Sequence, residues 1–204
     1  MQLFRKPLLC AGLICLALWL SAPSFSQTNE ELKQDRFHAC RMYAPQIARA
    51  VQRRFPRGFQ HPKAWTAQLY QESLCDLNAV SPVGAKGIAQ IMDPTARDIA
   101  RALGADFDAF SPMAIDYGAY YQARQMRVFK RRGRSDAQTW PLGLAAYNSG
   151  LGSVLKAQRK CANARLWPDI APCQHLVTGQ RNANETRTYV TRIQRFRLEM
   201  EHGL

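Results

Sequence analysis

The chain has 204 residues, with 28 Lys and Arg against 15 Asp and Glu for a formal charge of +13, and 47% hydrophobic residues. That length suits one ordinary domain able to bury its own core, and no internal repeat, low-complexity tract or interdomain linker divides it. Its basic residues are scattered except for Lys130-Arg131-Arg132 and Arg134, and with no zinc-finger spacing or RNA-recognition signature no nucleic-acid partner is expected.

Taken in order, Arg5 and Lys6 precede an apolar run from Leu8 to Leu20 that ends at Ser24-Phe25-Ser26. The pattern reads as a secretory signal peptide over residues 1–26. The run is shorter than the ~18 apolar residues a membrane span needs, and Cys10 and Cys15 lie too early or in mid-run for lipid attachment. The expected product, residues 27–204, is exported and carries no stable membrane anchor.

Thr28 and Glu31 then read as a capping box opening a helix to about Arg54, which Phe55-Pro56-Arg57-Gly58 stops. Pro62 starts a second helix, and a Gly-punctuated loop from Ser81 to Gly87 is followed by a short helical piece at Ile88. Asp93-Pro94 reads as N-cap and first turn of a segment closed by Gly104. Ser111-Pro112 starts another, to about Arg132-Gly133. A further helix carries Leu142 to Tyr147, and the last runs from Asn184 as N-cap. Alternating strand patterns are nearly absent, so the expected class is mainly α, with little or no sheet.

The second helix draws attention. Trp65 and Leu69 form one apolar row, and Ala67, Tyr70 and Leu74 another, with Gln68 and Gln71 between them. A helix apolar on two sides is a buried one. Glu72 continues the Trp65–Leu69 row, where lost hydration favours the neutral carboxyl and raises its pKa, as a general acid requires. Asp76, four residues on, is the rival second carboxylate, although a turn aspartate is the simpler reading.

Four cysteines follow the leader, Cys40, Cys75, Cys161 and Cys173. None forms a Cys-x-x-Cys pair, and His38, His61, His175 and His202 lack metal spacing, so neither metal nor cofactor is expected. An even count in an oxidising compartment suggests two disulfides. Of the three full pairings, Cys40–Cys75 with Cys161–Cys173 is preferred: the first would pin the Glu72 helix to the N-terminal helix, the second would close the loop holding Trp167-Pro168 and Pro172.

Glu72-Ser73, Ser81, Gly84-Ala85, Gly87-Ile88-Ala89-Gln90 and Pro94-Thr95-Ala96 form one ordered series. Ala145-Ala146-Tyr147-Asn148-Ser149-Gly150 and Glu185-Thr186 before Tyr189-Val190 continue it. Together these blocks resemble the signatures of the soluble-lytic-transglycosylase type, glycoside hydrolase family 23. The resemblance implies a lysozyme-like helical fold and a peptidoglycan lytic transglycosylase acting in the periplasm on glycan strands. It makes Glu72 the catalytic acid and then base. It also places Ser81, Gln90, Met92, Tyr147, Asn148 and Glu185 at the substrate cleft, with Glu185 orienting Glu72 or controlling its pKa.

Three positions depart from the pattern. Ala89 stands where the family commonly has Met, which is expected to alter a sugar subsite. Ala114-Ile115 replaces a frequent Asn-Ile, and Cys75 replaces an aromatic residue. Two alternatives stay open on spacing alone: a lysozyme-type hydrolase, and a non-catalytic peptidoglycan-binding component of an envelope-spanning machine. The short single-domain build points to a specialised local cutter serving a secretion or conjugation apparatus.

Overall fold

The computed structural model describes residues 36–202 except 60 and 132. The signal-peptide and Thr28/Glu31 readings therefore lie outside the described residues. Among those described, the chain is a string of helices with no strand, only isolated bridges pairing Val80 with Lys86 and Lys86 with Ile91. The mainly α expectation holds.

The helices are α1 (His38–Arg41), α2 (Ala44–Arg54), α3 (Pro62–Ser73), α4 (Asp93–Leu103), α5 (Met113–Lys130), α6 (Asp136–Ser149), α7 (Leu151–Lys160), α8 (Trp167–Ile170) and α9 (His175–His202). A short 3-10 turn, Ala171–Cys173, leads into α9. Pro62 opens α3 at its first turn, where a missing N–H costs nothing. Ser135 and Gln138 form a reciprocal capping box that fixes the start of α6.

Helix α5 lies at the centre, packed on α2 and α6, while α9 crosses both α3 and α6. Trp65, Leu69, Ile115, Met126, Phe129, Leu142 and Ile193 are fully buried between them. Each such side chain contributes about 1.5–3 kcal/mol of burial. Close approach needs small residues: a Cβ on Gly118 would lie 2.7 Å from that of Ala89 and about 3 Å from the Trp65 ring.

Four expectations need correction. The helix expected to run unbroken to about Arg54 is interrupted at Met42 and Tyr43, between α1 and α2, with Pro45 in the first turn of α2. The Ile88 segment is a turn held by Gln90 N–H to the Gly87 carbonyl, not a helical piece. The final helix begins well before Asn184, at His175, and is broken at Gly179, whose φ of 78° restarts it. Asn184 is consequently interior, its Oδ1 accepting from Gln180 Nε2 one turn earlier at 2.8 Å, so a good capping residue is overridden by an upstream glycine. Finally, Leu74 does not continue a buried row. It is 62% exposed, because the helix ends there and the chain turns left-handed.

Both disulfides pair as preferred, Cys40–Cys75 with Cα atoms 5.2 Å apart and Cys161–Cys173 with 5.7 Å.

Candidate active site

Helix α3 delivers Glu72 one residue before its end. The chain leaves through two successive left-handed residues, Leu74 (φ 57°) and Cys75 (φ 63°), and Cys75 is tied to Cys40 on α1. Neighbouring Ser73 donates its hydroxyl to the Ile88 carbonyl at 2.8 Å, which holds the following loop against the helix end.

That loop is tied up by its own polar groups. Ser81 Oγ accepts from Ala85 N–H at 2.9 Å, and Gln90 Nε2 donates to the carbonyls of Ala79 (3.2 Å) and Gly87 (2.9 Å). Gly87 is obligatory: at φ 70°, a Cβ there would sit 1.7 Å from the Ala109 carbonyl oxygen. Tyr147 on α6 clamps the loop from the other side, donating its hydroxyl to the Ala89 carbonyl at 2.6 Å. Ala89 is fully buried against α5, so its replacement of Met changes core packing, not the wall of the cleft as expected from sequence.

Glu72 opens onto a pocket of about 370 Å³ lined by Gln71, Glu72, Asn148, Asn184, Glu185, Thr188, Tyr189 and Arg192. The residue keeps part of its surface open to this pocket. Burial of the carboxyl nevertheless pushes its pKa from 4.5 up to about 8, against the opposing effect of a hydrogen bond from Tyr189. The Tyr189 hydroxyl donates to Glu72 Oε1 and itself accepts from Gln68 Nε2 at 3.2 Å. Burial also drives the phenols of Tyr189 and Tyr147 well above their ordinary pKa, with the Glu72 charge adding to the shift, so both remain neutral donors.

The structure therefore brings together Glu72, Asn148 and Glu185 among the expected site residues, with Tyr147 close enough for its charge state to respond to Glu72. Asn148 is held there by the Thr186 hydroxyl on α9, which donates to its Oδ1 at 2.8 Å. Ser81, Gln90 and Met92 do not line this pocket; the first two bond within the loop, and Met92, exposed, precedes α4. Asp76 is a turn residue, its Oδ1 accepting from Asn78 N–H at 2.8 Å.

Sequence reasoning missed Gln68, Gln71, Asn184, Thr188 and Arg192, and did not assign Tyr189 a role. Tyr189 lies one turn after Glu185, which was the available signal. The rest follow from how α9 crosses α3.

Chemically, the pocket offers one carboxyl that is protonated at neutral pH, aimed at a polar concavity and backed by a neutral phenol. That is the equipment of a helical, lysozyme-like glycosidase acid. Among the described residues, no group of three or more His, Cys, Asp or Glu could hold a metal ion.

The profile described as "Transglycosylase SLT domain" matches residues 60–169, more than half of the chain, and the chain belongs to that family. Similar proteins include the membrane-bound lytic murein transglycosylase F of Idiomarina loihiensis, 31% identical over 141 residues, covering 62% of this chain and 30% of that protein. The protein of the same name from Alcanivorax borkumensis is 35% identical over 108 residues, covering 51% and 22%. That from Yersinia pestis is 28% identical over 145 residues, covering 64% and 29%. The chain thus matches less than a third of the length of these relatives. No helix among the described residues is long and apolar enough to cross a membrane.

Proposed function

We propose that this chain is a peptidoglycan lytic transglycosylase and that Glu72 is its acid and base in turn. Glu72 protonates the oxygen joining N-acetylmuramic acid to N-acetylglucosamine, and the C1–O bond breaks. The same carboxylate then takes the proton of the muramic acid C6 hydroxyl as that oxygen attacks C1, closing a 1,6-anhydro ring. No water is consumed, and the internal hydroxyl has the high effective concentration of an intramolecular nucleophile.

The observation that carries this proposal is a single carboxyl held protonated near neutrality on a polar pocket, in a chain of the SLT transglycosylase family. Glu185, Asn148 and Tyr147 would bind or orient the glycan at the acid. Ser81, Gln90 and Met92 would contact it farther along. The net charge of +13, or 13 − 2 = +11 once Arg5 and Lys6 leave with residues 1–26, suits an anionic wall polymer. In this proposal residues 1–26 are removed as a signal peptide and residues 27–204 act in the periplasm as a local cutter that opens the wall for a secretion or conjugation apparatus.

One observation favours a second reading. Glu185 lines the same pocket as Glu72, and a second carboxylate is what a glycoside hydrolase uses as nucleophile or to activate water. Mass spectrometry of products from sacculi incubated with the wild type and Glu72→Gln decides between them. Anhydro-muropeptides from the wild type alone are expected. Products heavier by one water would make it a hydrolase, and no products from either protein, with both still bound to sacculi, would leave a binding component.

A further inference from the structure

Gln68 is a polar side chain in the wrong place for stability. It lies on α3 one turn before Glu72, is fully buried, and its Oε1 accepts no hydrogen bond from any described residue. Among the described residues, the one bond its side chain makes is from Nε2 to Tyr189 Oη at 3.2 Å. A buried amide with an unused acceptor is a cost to folding, so the bond it does make is the place to look for its use.

A phenol has one proton and can send it one way. With Gln68 Nε2 donating to Tyr189 Oη, the phenol oxygen faces a donor there, and its proton is turned onto Glu72 Oε1, the bond the structure contains. Glu72 Oε1 is then occupied as an acceptor in both protonation states, which leaves Oε2 to carry the acidic proton. Without Gln68, Tyr189 could turn round and accept from Glu72, and the acid would donate its proton backwards into the protein.

We propose that Gln68 is a positioning residue: through Tyr189 it fixes which oxygen of Glu72 carries the transferable proton and keeps that proton facing the substrate. This rests on the reading of Glu72 as the catalytic acid. The titratable and charged groups around the carboxyl are Tyr189 on α9, Tyr147 on α6, and Glu185 and Arg192 lining the pocket from α9; the α3 neighbours Gln68 and Gln71 are neutral. A change at Gln68 to an apolar residue of similar length acts on Tyr189 and leaves the identities and charges of Tyr147, Glu185 and Arg192 as they are.

The test compares wild type, Gln68→Met, Tyr189→Phe and the double variant. Three readouts are used: the pH dependence of turnover on sacculi, a 13C titration of the Glu72 carboxyl assigned with Glu72→Gln, and the melting temperature. Gln68→Met removes the donor that directs the Tyr189 proton onto the carboxylate and frees the phenol oxygen to accept from the acid form, and both raise the Glu72 pKa. The expected shift is roughly half a unit to one unit upward, with kcat down about tenfold, KM little changed, and the melting temperature unchanged or higher. Tyr189→Phe should shift the titration the same way, and adding Gln68→Met to it should change nothing more, because the chain of bonds is already cut.

A falling melting temperature with an unmoved titration would reduce Gln68 to a structural residue and overturn the proposal, as would additive effects in the double variant. If wild type makes no product, the catalytic reading fails on its own, while the carboxyl titration still decides whether Gln68 acts on Glu72 through Tyr189. Should Gln68→Met not fold, Tyr189→Phe alone must show the upward shift, and its absence sinks the proposal.

Discussion

Replacing Glu72 by Gln should stabilise this protein at neutral and alkaline pH while abolishing its chemistry. The carboxyl titrates at about 8 in the folded chain against 4.5 ordinarily, because burial disfavours the anion. A raised folded pKa means that the contribution is fully favourable below pH 4.5 and is lost as pH rises through 8. At about 1.4 kcal/mol per unit, the cost of ionising or protonating this group against its preference reaches about 3 kcal/mol at pH 7 and about 4 kcal/mol at pH 8. The pocket side of Glu72 is open to solvent, so about half of this, on the order of 2 kcal/mol, is the expected net gain from a neutral Gln that can still accept from Tyr189. For a domain of this size that is roughly 4–8 °C. Melting curves of both proteins from pH 4 to 8.5 should coincide at the acid end and separate progressively above pH 5. Asp93→Asn is the control, since Lys86 beside Asp93 holds that pKa below its ordinary value, so its removal gives no such gain with rising pH. A gap between wild type and Glu72→Gln that does not change with pH, or a variant that melts lower at pH 8, would refute the assignment of Glu72 as a buried, protonated acid.

The other predictions concern what holds the site. Cys40–Cys75 closes a loop of 35 residues and Cys161–Cys173 one of 12, so chain-entropy bookkeeping assigns them about 4 and about 3 kcal/mol; in urea denaturation, the double Ala variant at 40 and 75 should lose more than that at 161 and 173. Tyr147→Phe leaves the Ala89 carbonyl without its hydrogen bond and should cost about 1–3 kcal/mol by the same measurement. Gly87→Ala drives a Cβ into the Ala109 carbonyl and should cost at least about 3 kcal/mol, whereas Gly84→Ala, with nothing within 4 Å, should cost only the left-handed conformation, about 1 kcal/mol. Equal melting temperatures for the two Gly variants would show that the loop can move aside.

Much of the architecture was legible because local signals agreed with one another. Proline at the start of α3 and the glycine after α4 mark helix ends by backbone chemistry alone, and the position of Glu72 on the Trp65–Leu69 row foretold its raised pKa. What stayed hidden depends on long-range placement. Gln68 reads as an amide on the boundary between two apolar rows, and only the crossing of α9 over α3 buries it and supplies Tyr189, 121 residues away, as its partner. The resemblance puts Ser81 and Gln90 at cleft positions, but no periodicity reveals the loop in which Ser81 Oγ accepts from Ala85 N–H and Gln90 Nε2 donates to the Ala79 carbonyl. Asn184 has the right chemistry for a cap and sits mid-helix because Gly179 breaks the helix first.

The unfavourable features of the chain are concentrated at one end of one helix. Within four residues lie a carboxyl far from its preferred ionisation state and two left-handed residues that are not glycine, Leu74 and Cys75, each costing about 1–3 kcal/mol of backbone strain. Such a segment would relax if it could, by letting Glu72 swing into water. It is prevented by the Cys40–Cys75 bond behind it, the Ser73 to Ile88 and Tyr147 to Ala89 hydrogen bonds around it, and the fully buried Trp65 and Leu69 beneath it. These restraints act on the same few residues from four directions, and none of them touches the carboxylate itself. The tertiary structure therefore holds α3 in place, while Tyr189, itself supported by Gln68, hydrogen-bonds the acid directly. The packing that holds α3 thus also buries the acid and raises its pKa, while the Tyr189 hydrogen bond opposes that shift.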